Sequence, residues 1–252
     1  MRVSEAVETL DGWWALHDVR SVDWRRWRAE RSLGETALRE GSEFFEAALN
    51  PALGASGLYQ VFGMKGDLLQ IHLRPRLDDL LELQSAFDRT SLASFLRPRL
   101  SYLSVTELST YGSRDGKIPD GDPLKNPYIE RRLHPVIPPA RWVCFYPMDK
   151  RRGERDEANW YVRPFAERKE LMAAHGDIGR KYAGRVTQMI TGSVGLDDHE
   201  WGVTLFADDP LQFKKLVYEM RFDEASARFA EFGSFIVGRA MGSKDLPSLF
   251  GS

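Results

Sequence analysis

Two stretches of the chain, LLQIHLRPRLDDLLELQ at residues 68–84 and EWGVTLFADDPLQFKKLV at residues 200–217, follow the same pattern. Each begins with an apolar run typical of a buried strand and passes through a short polar turn. Each then continues with apolar residues at helical spacing. The chain therefore repeats a strand–turn–helix element, and this repeat is the main indication of its fold.

The segments on either side extend this repeat to a full β-α-β-β-α-β order in each half, which is the order of a ferredoxin-like unit. We predict an α+β fold, with tandem duplicated ferredoxin-like units whose open sheet faces pack together as a dimeric α+β barrel. The predicted strands cover residues 11–19, 57–62, 68–73, 100–111, 142–146, 186–193, 200–206 and 227–236, and the predicted helices cover residues 24–49, 76–88, 164–182 and 210–220.

Residues 113–139 are rich in proline and glycine and are predicted to be a linker. This interpretation divides the chain into an N-terminal ferredoxin-like domain at residues 1–112 and a C-terminal one at residues 140–252.

The composition is that of an ordinary globular protein and excludes several functional classes. The 252 residues are 42% hydrophobic and 29% charged, with a formal net charge of -2 spread along the chain, so nucleic-acid binding is not expected. No apolar run is long enough to span a membrane, and the first residues lack the pattern of a signal peptide. Cys144 is the single cysteine, which excludes an internal disulfide. We predict a cytoplasmic protein.

The stretch WVCFYPMDKRRGERDEANW, residues 142–160, carries the most unusual side chains. At the two-residue period of a strand, Tyr146, Met148 and Lys150 share one face with Trp142 and Cys144, although the proline at position 147 leaves the register after it open. A phenol, a thioether and an ammonium group together could serve electron or proton transfer beside a bound group. From the residues alone, a strand end that frays into a basic loop is the more common explanation.

Several long strings in the second half resemble the chlorite dismutase family, and within it most closely the coproheme decarboxylases of haem biosynthesis. The resemblance is strongest over residues 126–239. The first half resembles the family in its pattern of strands and helices more than in its amino-acid sequence. The strings are YPMDKRR, NWY, AAHGDIGRKYAGRV, GLDDHEWGVTLFADDP and MRFDEASARFAEFGSF.

The resemblance implies an activity, a fold and a set of partners. The fold is the duplicated one predicted above, and the second domain would bind haem. The activity is the hydrogen peroxide-dependent loss of two propionate carboxyl groups from iron coproporphyrin III (coproheme), which leaves vinyl groups and gives haem b. Coproheme is then both substrate and redox cofactor. The family also implies a homopentamer and transient contact with a ferrochelatase.

The resemblance places the iron ligand at His175, which lies between small residues late in a predicted helix. Neutral imidazole is a common axial ligand of haem iron, and its other ring nitrogen usually needs an acceptor. Glu224 is the candidate for that acceptor. A surface carboxylate with no role at His175 is nearly as good an interpretation of Glu224. His17 and His72 are expected to be structural, and His199 to face solvent.

The resemblance also assigns roles around the porphyrin. Tyr146 would be the redox tyrosine, Lys150 a proton donor or cation near the same propionate, and Met148 part of the pocket wall. Arginine suits carboxylate because its guanidinium can bind both oxygens. The predicted propionate-binding residues are Arg132, with Arg131 as the alternative, Ser226 and Tyr111.

Gln188 distinguishes branches of the family. It alternates with apolar residues on a predicted strand, where a buried amide needs a partner such as a ligand above the iron. Chlorite dismutases are expected to carry arginine on that side, so glutamine favours the decarboxylase branch. The remaining alternatives are a chlorite dismutase or haem peroxidase in the same fold, a non-catalytic haem carrier or sensor, and a ligand-free assembly protein.

Overall fold

The computed structural model describes residues 6–118, 120–153 and 158–251, which contain nine β-strands and eight α-helices. The strands are β1 (Thr9–Val22), β2 (Ala55–Val61), β3 (Leu68–Arg74), β4 (Leu96–Ser109), β5 (Trp142–Lys150), β6 (Thr187–Gly192), β7 (Trp201–Ala207), β8 (Ala230–Phe232) and β9 (Ile236–Met241). The helices are α1 (Trp24–Ala29), α2 (Gly34–Leu49), α3 (Leu77–Asp88), α4 (Pro127–Leu133), α5 (Phe165–Lys181), α6 (Leu211–Met220), α7 (Glu224–Phe229) and α8 (Leu246–Leu249).

The described residues form two compact units. Unit one comprises the described parts of residues 1–12, 105–135 and 144–235, and unit two those of residues 13–104, 136–143 and 236–252. The division into domains at residues 112 and 140 stays a prediction.

The strand order within the two halves of the chain is the same. In unit one β6 pairs antiparallel with β7, β7 pairs with β5, and β5 pairs antiparallel with β8. In unit two β3 lies between β1 and β2 with antiparallel pairing on both sides, and β4 follows β1 in the hydrogen-bonded order. Numbered within β1 to β4 and within β5 to β8, both orders run fourth, first, third, second strand. The fifth strand of the second half, β9, pairs antiparallel with β2. The predicted α+β class and the repeat are therefore confirmed.

The single helix predicted over residues 24–49 is wrong, because the structure divides it into α1 and α2 with a short 3-10 turn between them. The division allows the buried Trp27 ring to pack 5.2 Å from Phe95 and 4.4 Å from Phe250, measured between ring centroids. Gly34 opens α2 against the same ring, where a Cβ atom would come within 2.9 Å of it.

Two further segments differ from the sequence prediction. The predicted strand over residues 227–236 begins too early, because Ala227 belongs to α7, whose N-cap Asp223 accepts a hydrogen bond from the backbone N–H of Ala225 at 2.9 Å. The predicted linker contains α4, and the hydroxyl of Thr106 donates to the carbonyl of Leu133 at its end, at 2.6 Å. Among the described residues, no helix has both the length and the apolar character to cross a membrane.

His17 and His72 are buried in unit two. A ring nitrogen of His72 lies 2.9 Å from the hydroxyl of Ser56, and the other lies 3.3 Å from the amide oxygen of Gln70. Burial lowers the pKa of each histidine to about 3, and for His72 the nearby Arg74 adds to this effect. Both imidazoles are therefore neutral in the folded protein near neutral pH.

We expect the free energy of unfolding to fall as the pH drops below about 6.5, where histidines of the unfolded chain take up protons. The folded state does not bind those two protons until the pH approaches about 3. Between these limits each histidine removes about 1.4 kcal/mol of stability per pH unit. Urea unfolding as a function of pH measures the slope of the free energy of unfolding against pH. His72→Gln should lower this slope by the contribution of one histidine, about 1.4 kcal/mol per pH unit. An unchanged slope would contradict this assignment.

Candidate functional site

A cavity of about 300 Å³ lies within unit one. Strands β4 to β8, helices α4 to α7 and the 3-10 turns near Tyr111 and Trp160 contribute to its wall. Most of the wall is apolar, with Leu108, Met172, Ile190, Trp201, Val203, Val217, Met220, Ala230 and Phe232. Eight residues to which the sequence assigned a role at the porphyrin line this cavity: Tyr111, Arg132, Tyr146, Met148, Lys150, His175, Gln188 and Ser226.

Strand β5 brings Tyr146, Met148 and Lys150 into the cavity on one face. The alternation continues through Pro147, because Met148 and Lys150 stay paired with β8 and the carbonyl of Pro147 accepts a hydrogen bond from Gly233 at 2.8 Å. The alternative in which this strand end frays into a loop is therefore wrong. Residues 154–157, later in the same stretch, lie outside the described residues.

His175, on α5, is bound through Nδ1 to the carboxylate of Asp223 at 2.8 Å, and the hydroxyl of Ser226 lies 3.4 Å from the same nitrogen. Asp223 is buried. Burial opposes ionisation of this carboxyl, but hydrogen bonds from His175 and Ser226 outweigh burial and hold its pKa below the ordinary value. The arrangement fixes the imidazole and leaves Nε2 for a ligand.

The prediction that Glu224 holds His175 is wrong. Its carboxylate instead pairs with Arg228, one turn further along α7. The acceptor is the preceding residue, Asp223, whose side chain points back over the N-terminus of the helix as its cap. An aspartate directly before a short helical run is typical of an N-cap residue. This signal in the sequence favours Asp223 over Glu224 as the residue whose side chain turns back over the start of the helix.

Lys150 is buried beside the cavity, where its Nζ donates to the carbonyl of Ala225 at 3.1 Å and lies 4.5 Å from the centroid of the Trp160 ring. Burial lowers the pKa of Lys150 to about 8, although Asp223 and Glu200 oppose the shift. The ammonium group can therefore gain or lose a proton close to neutral pH.

The Tyr146 ring is almost fully buried and stacks on Phe235, with 4.4 Å between ring centroids. Phe232 packs against it at 5.7 Å. Burial raises the pKa of the Tyr146 phenol, so the hydroxyl keeps its proton throughout the neutral range. The aromatic neighbours hold the ring in place without using its hydroxyl.

Donors for carboxylates lie at several positions around the cavity. Arg132 lines it, whereas Arg131 is not among the described lining residues, and Ser226 lines it from α7. The hydroxyl of Tyr111 accepts a hydrogen bond from the buried Arg168 at 3.2 Å. Sequence reasoning missed Arg168, because no pattern in the sequence links it to Tyr111, 57 residues away.

Gln188 lines the cavity from β6, opposite Leu205 of β7. Its amide nitrogen is 3.8 Å from the point that a Cβ atom would occupy at Gly179, so the last turn of α5 passes close to it. His199, which was expected to face solvent, is only one-third exposed and binds Asp149 at 2.7 Å.

A second cavity, of about 680 Å³, lies within unit two. Three of its charged groups pair with one another, since Arg20 binds Asp18 at 2.8 Å and Asp88 at 3.0 Å. The cavity of unit one, by contrast, presents an imidazole, a phenol, an ammonium and a guanidinium within an apolar wall. Those groups fit a flat apolar macrocycle that carries a metal and peripheral carboxylates.

Comparisons with known proteins show the family of the chain. The model of the chlorite dismutase family matches residues 34–241, so the chain belongs to the chlorite dismutase family. A haem-binding protein from Thermus thermophilus is 44% identical, with a TM-score of 0.90 over 100% of both chains. A mutant chlorite dismutase from Candidatus Nitrospira defluvii is 18% identical, with a TM-score of 0.77 over 96% of this chain and 97% of that one, and shows the shared fold alone.

Proposed function

We propose that this protein is a coproheme decarboxylase that uses hydrogen peroxide to convert two propionates of iron coproporphyrin III to vinyl groups, giving haem b. The observation that carries the proposal is the meeting of three groups in one cavity. They are an imidazole fixed by a carboxylate (His175 with Asp223), a buried phenol (Tyr146) and an ammonium group that titrates near neutral pH (Lys150).

The choice of a haem as the bound group rests on the cavity and on family membership. The relative that is 44% identical over its full length is described as a haem-binding protein. In this chain His175 would ligate the iron through Nε2, while Arg132, Ser226 and Tyr111 would bind propionates. When bound, the iron supplies the means of using peroxide as an oxidant.

The chemistry of the propionate defines what the protein side chains must do. Each loss of carbon dioxide with formation of a vinyl group removes two electrons and one proton from the side chain. With one hydrogen peroxide reduced to two waters, the balanced step consumes one proton. As a tyrosyl radical, Tyr146 would take one electron and the proton together as a hydrogen atom, and the second electron would pass to the iron. Lys150, with its pKa near 8, would supply the proton.

Gln188 separates this proposal from chlorite dismutation, which is the closest alternative. A neutral amide carries no positive charge with which to stabilise an oxyanion, whereas an arginine does. A non-catalytic haem carrier would need the imidazole but would have no use for a buried phenol and a titrating ammonium beside the ligand. A cytoplasmic location, the homopentamer and the contact with ferrochelatase remain predictions from the resemblance.

Ferric coproheme added to the purified protein, followed by stoichiometric hydrogen peroxide, tests the proposal by mass spectrometry of the pigment. We expect loss of two carboxyl groups, with a three-propionate intermediate at low peroxide. Coproheme that binds but is returned unchanged or merely bleached would instead favour a carrier or a peroxidase. Rapid oxygen evolution from chlorite with haem b bound would favour a chlorite dismutase.

A further inference from the structure

Glu107 carries the one carboxyl group among the described residues that line the cavity of unit one. The indole N–H of Trp201 donates to its Oε1 at 3.2 Å. Its Oε2 lies over Gly192, where a Cβ atom would come within 2.2 Å of it. The last residue of β6 must therefore be glycine for the carboxyl to occupy this position.

The charge around this carboxyl is unusual for a glutamate. Burial raises the pKa of Glu107 and the carboxylate of Asp11, on β1, adds to the effect, while the hydrogen bond from Trp201 opposes it. Arg132 and Lys150 line the same cavity, and the phenol of Tyr111 is close enough to feel the charge of Glu107.

An ionised carboxyl here would face a ligand with four carboxylates and would repel it. A neutral carboxylic acid can instead donate its O–H to a carboxylate, which forms a short, charge-assisted hydrogen bond. Two carboxyl groups that share a site hold one proton between them for the same electrostatic reason. The geometry, with Oε1 held by the indole N–H of Trp201 and Glu107 in the wall of the cavity, suits such a shared proton.

We propose that Glu107 binds the tetracarboxylate porphyrin in its neutral form and donates its proton to a propionate, so that substrate binding takes up one proton. This inference rests on the proposed function and adds a substrate-selecting residue to it. Glu107 would favour ligands that present a carboxylate at this end of the cavity, and it would tie their affinity to pH.

Calorimetric titration of ferric coproporphyrin III into the full-length protein tests the proposal. Titrations in two buffers of different ionisation enthalpy, repeated across the neutral pH range, give the number of protons taken up. We expect the wild type to take up about one more proton than Glu107→Gln wherever the free glutamate is ionised. Over that range, each rise of one pH unit should lower the wild-type affinity for the porphyrin about tenfold more than it lowers the affinity of Glu107→Gln.

Glu82→Gln is the matched control, because Glu82 is exposed on α3 in unit two and its substitution changes the net charge by the same amount. Lys150 is present in all three proteins, so the protons that it exchanges cancel in the comparison. Infrared difference spectra of the wild type on binding provide a second measurement that does not depend on the folding of a variant. A protonated-carboxyl band should appear there.

Three results would overturn the inference. One is equal proton uptake by the wild type and Glu107→Gln without a carboxyl band. Another is tighter binding by Glu107→Gln by the same factor at every pH, which would show that the glutamate stays ionised in the complex. The third is an absence of coproporphyrin binding by the wild type, which would overturn the proposed function as well and is thereby distinguished from the first two.

Discussion

Replacing Tyr146 by phenylalanine is expected to slow the first decarboxylation by about 10²-fold or more, the loss typical when a group that transfers a proton or hydrogen at the reacting centre is removed. The variant keeps the ring that stacks on Phe235 and Phe232, so the cavity wall should be unchanged. Single-turnover reactions of the coproheme complex with peroxide, followed by mass spectrometry, measure the rate. Affinity for coproheme should stay within a few-fold of the wild type.

The control is Tyr218→Phe, which removes a hydroxyl from an exposed position on α6. It should leave both rate and affinity unchanged. Decarboxylation by Tyr146→Phe at the wild-type rate would contradict the relay and would require another oxidisable side chain in the cavity, such as Trp160, whose ring centroid lies 4.5 Å from Lys150 Nζ. A parallel loss of affinity and rate would instead make the phenol a binding group.

His175→Ala is expected to weaken binding of iron coproporphyrin by more than about 100-fold. Loss of a side chain that merely supports a metal ligand costs about 10–100-fold, and the loss of the ligand itself should exceed that. Binding of the iron-free porphyrin should change little, because the apolar wall and the carboxylate donors remain. Absorption titrations with the two porphyrins give both affinities.

Asp223→Asn separates the charge of the carboxylate from its structural role. Asparagine is as good an N-cap as aspartate, so α7 should keep its cap while His175 loses an ionised acceptor. We expect iron coproporphyrin to bind about 10–100-fold more weakly to Asp223→Asn.

Imidazole added to His175→Ala should restore part of the affinity for iron coproporphyrin. No recovery would mean that His175 acts by packing.

The fold was predictable because its signals are local and repeated. The strand–turn–helix patterns at residues 68–84 and 200–217 need no knowledge of distant contacts, and the structure places β3 with α3 and β7 with α6 there. The break between α1 and α2 was missed because its cause is tertiary. Trp27 turns towards Phe95 and Phe250, and the helix pattern contains no trace of those partners.

In the candidate site too, local signals were predictable and long-range contacts were not. The lining residues came from the family resemblance and from the alternation on β5, and the structure gathers them in one cavity. The groups that position them were missed or misplaced. Asp223 replaces Glu224 as the partner of His175, and Arg168 holds Tyr111 from another element. Such contacts depend on the rotation of short helices and on long-range packing, which one sequence does not record.

The pleat of β5 sets a distance as well as a face. Tyr146 and Lys150 are four residues apart, so at about 3.3 Å per residue their Cα atoms are separated by about 13 Å along the strand. Both side chains are long and enter the same cavity, so this separation still allows their polar ends to approach one propionate from opposite sides. Under the proposed function, hydrogen abstraction by Tyr146 and proton supply by Lys150 would then act at one edge of the macrocycle. If Tyr146 serves both decarboxylations, its fixed position on β5 requires the three-propionate intermediate to turn within the cavity. The two propionates would then react one after the other.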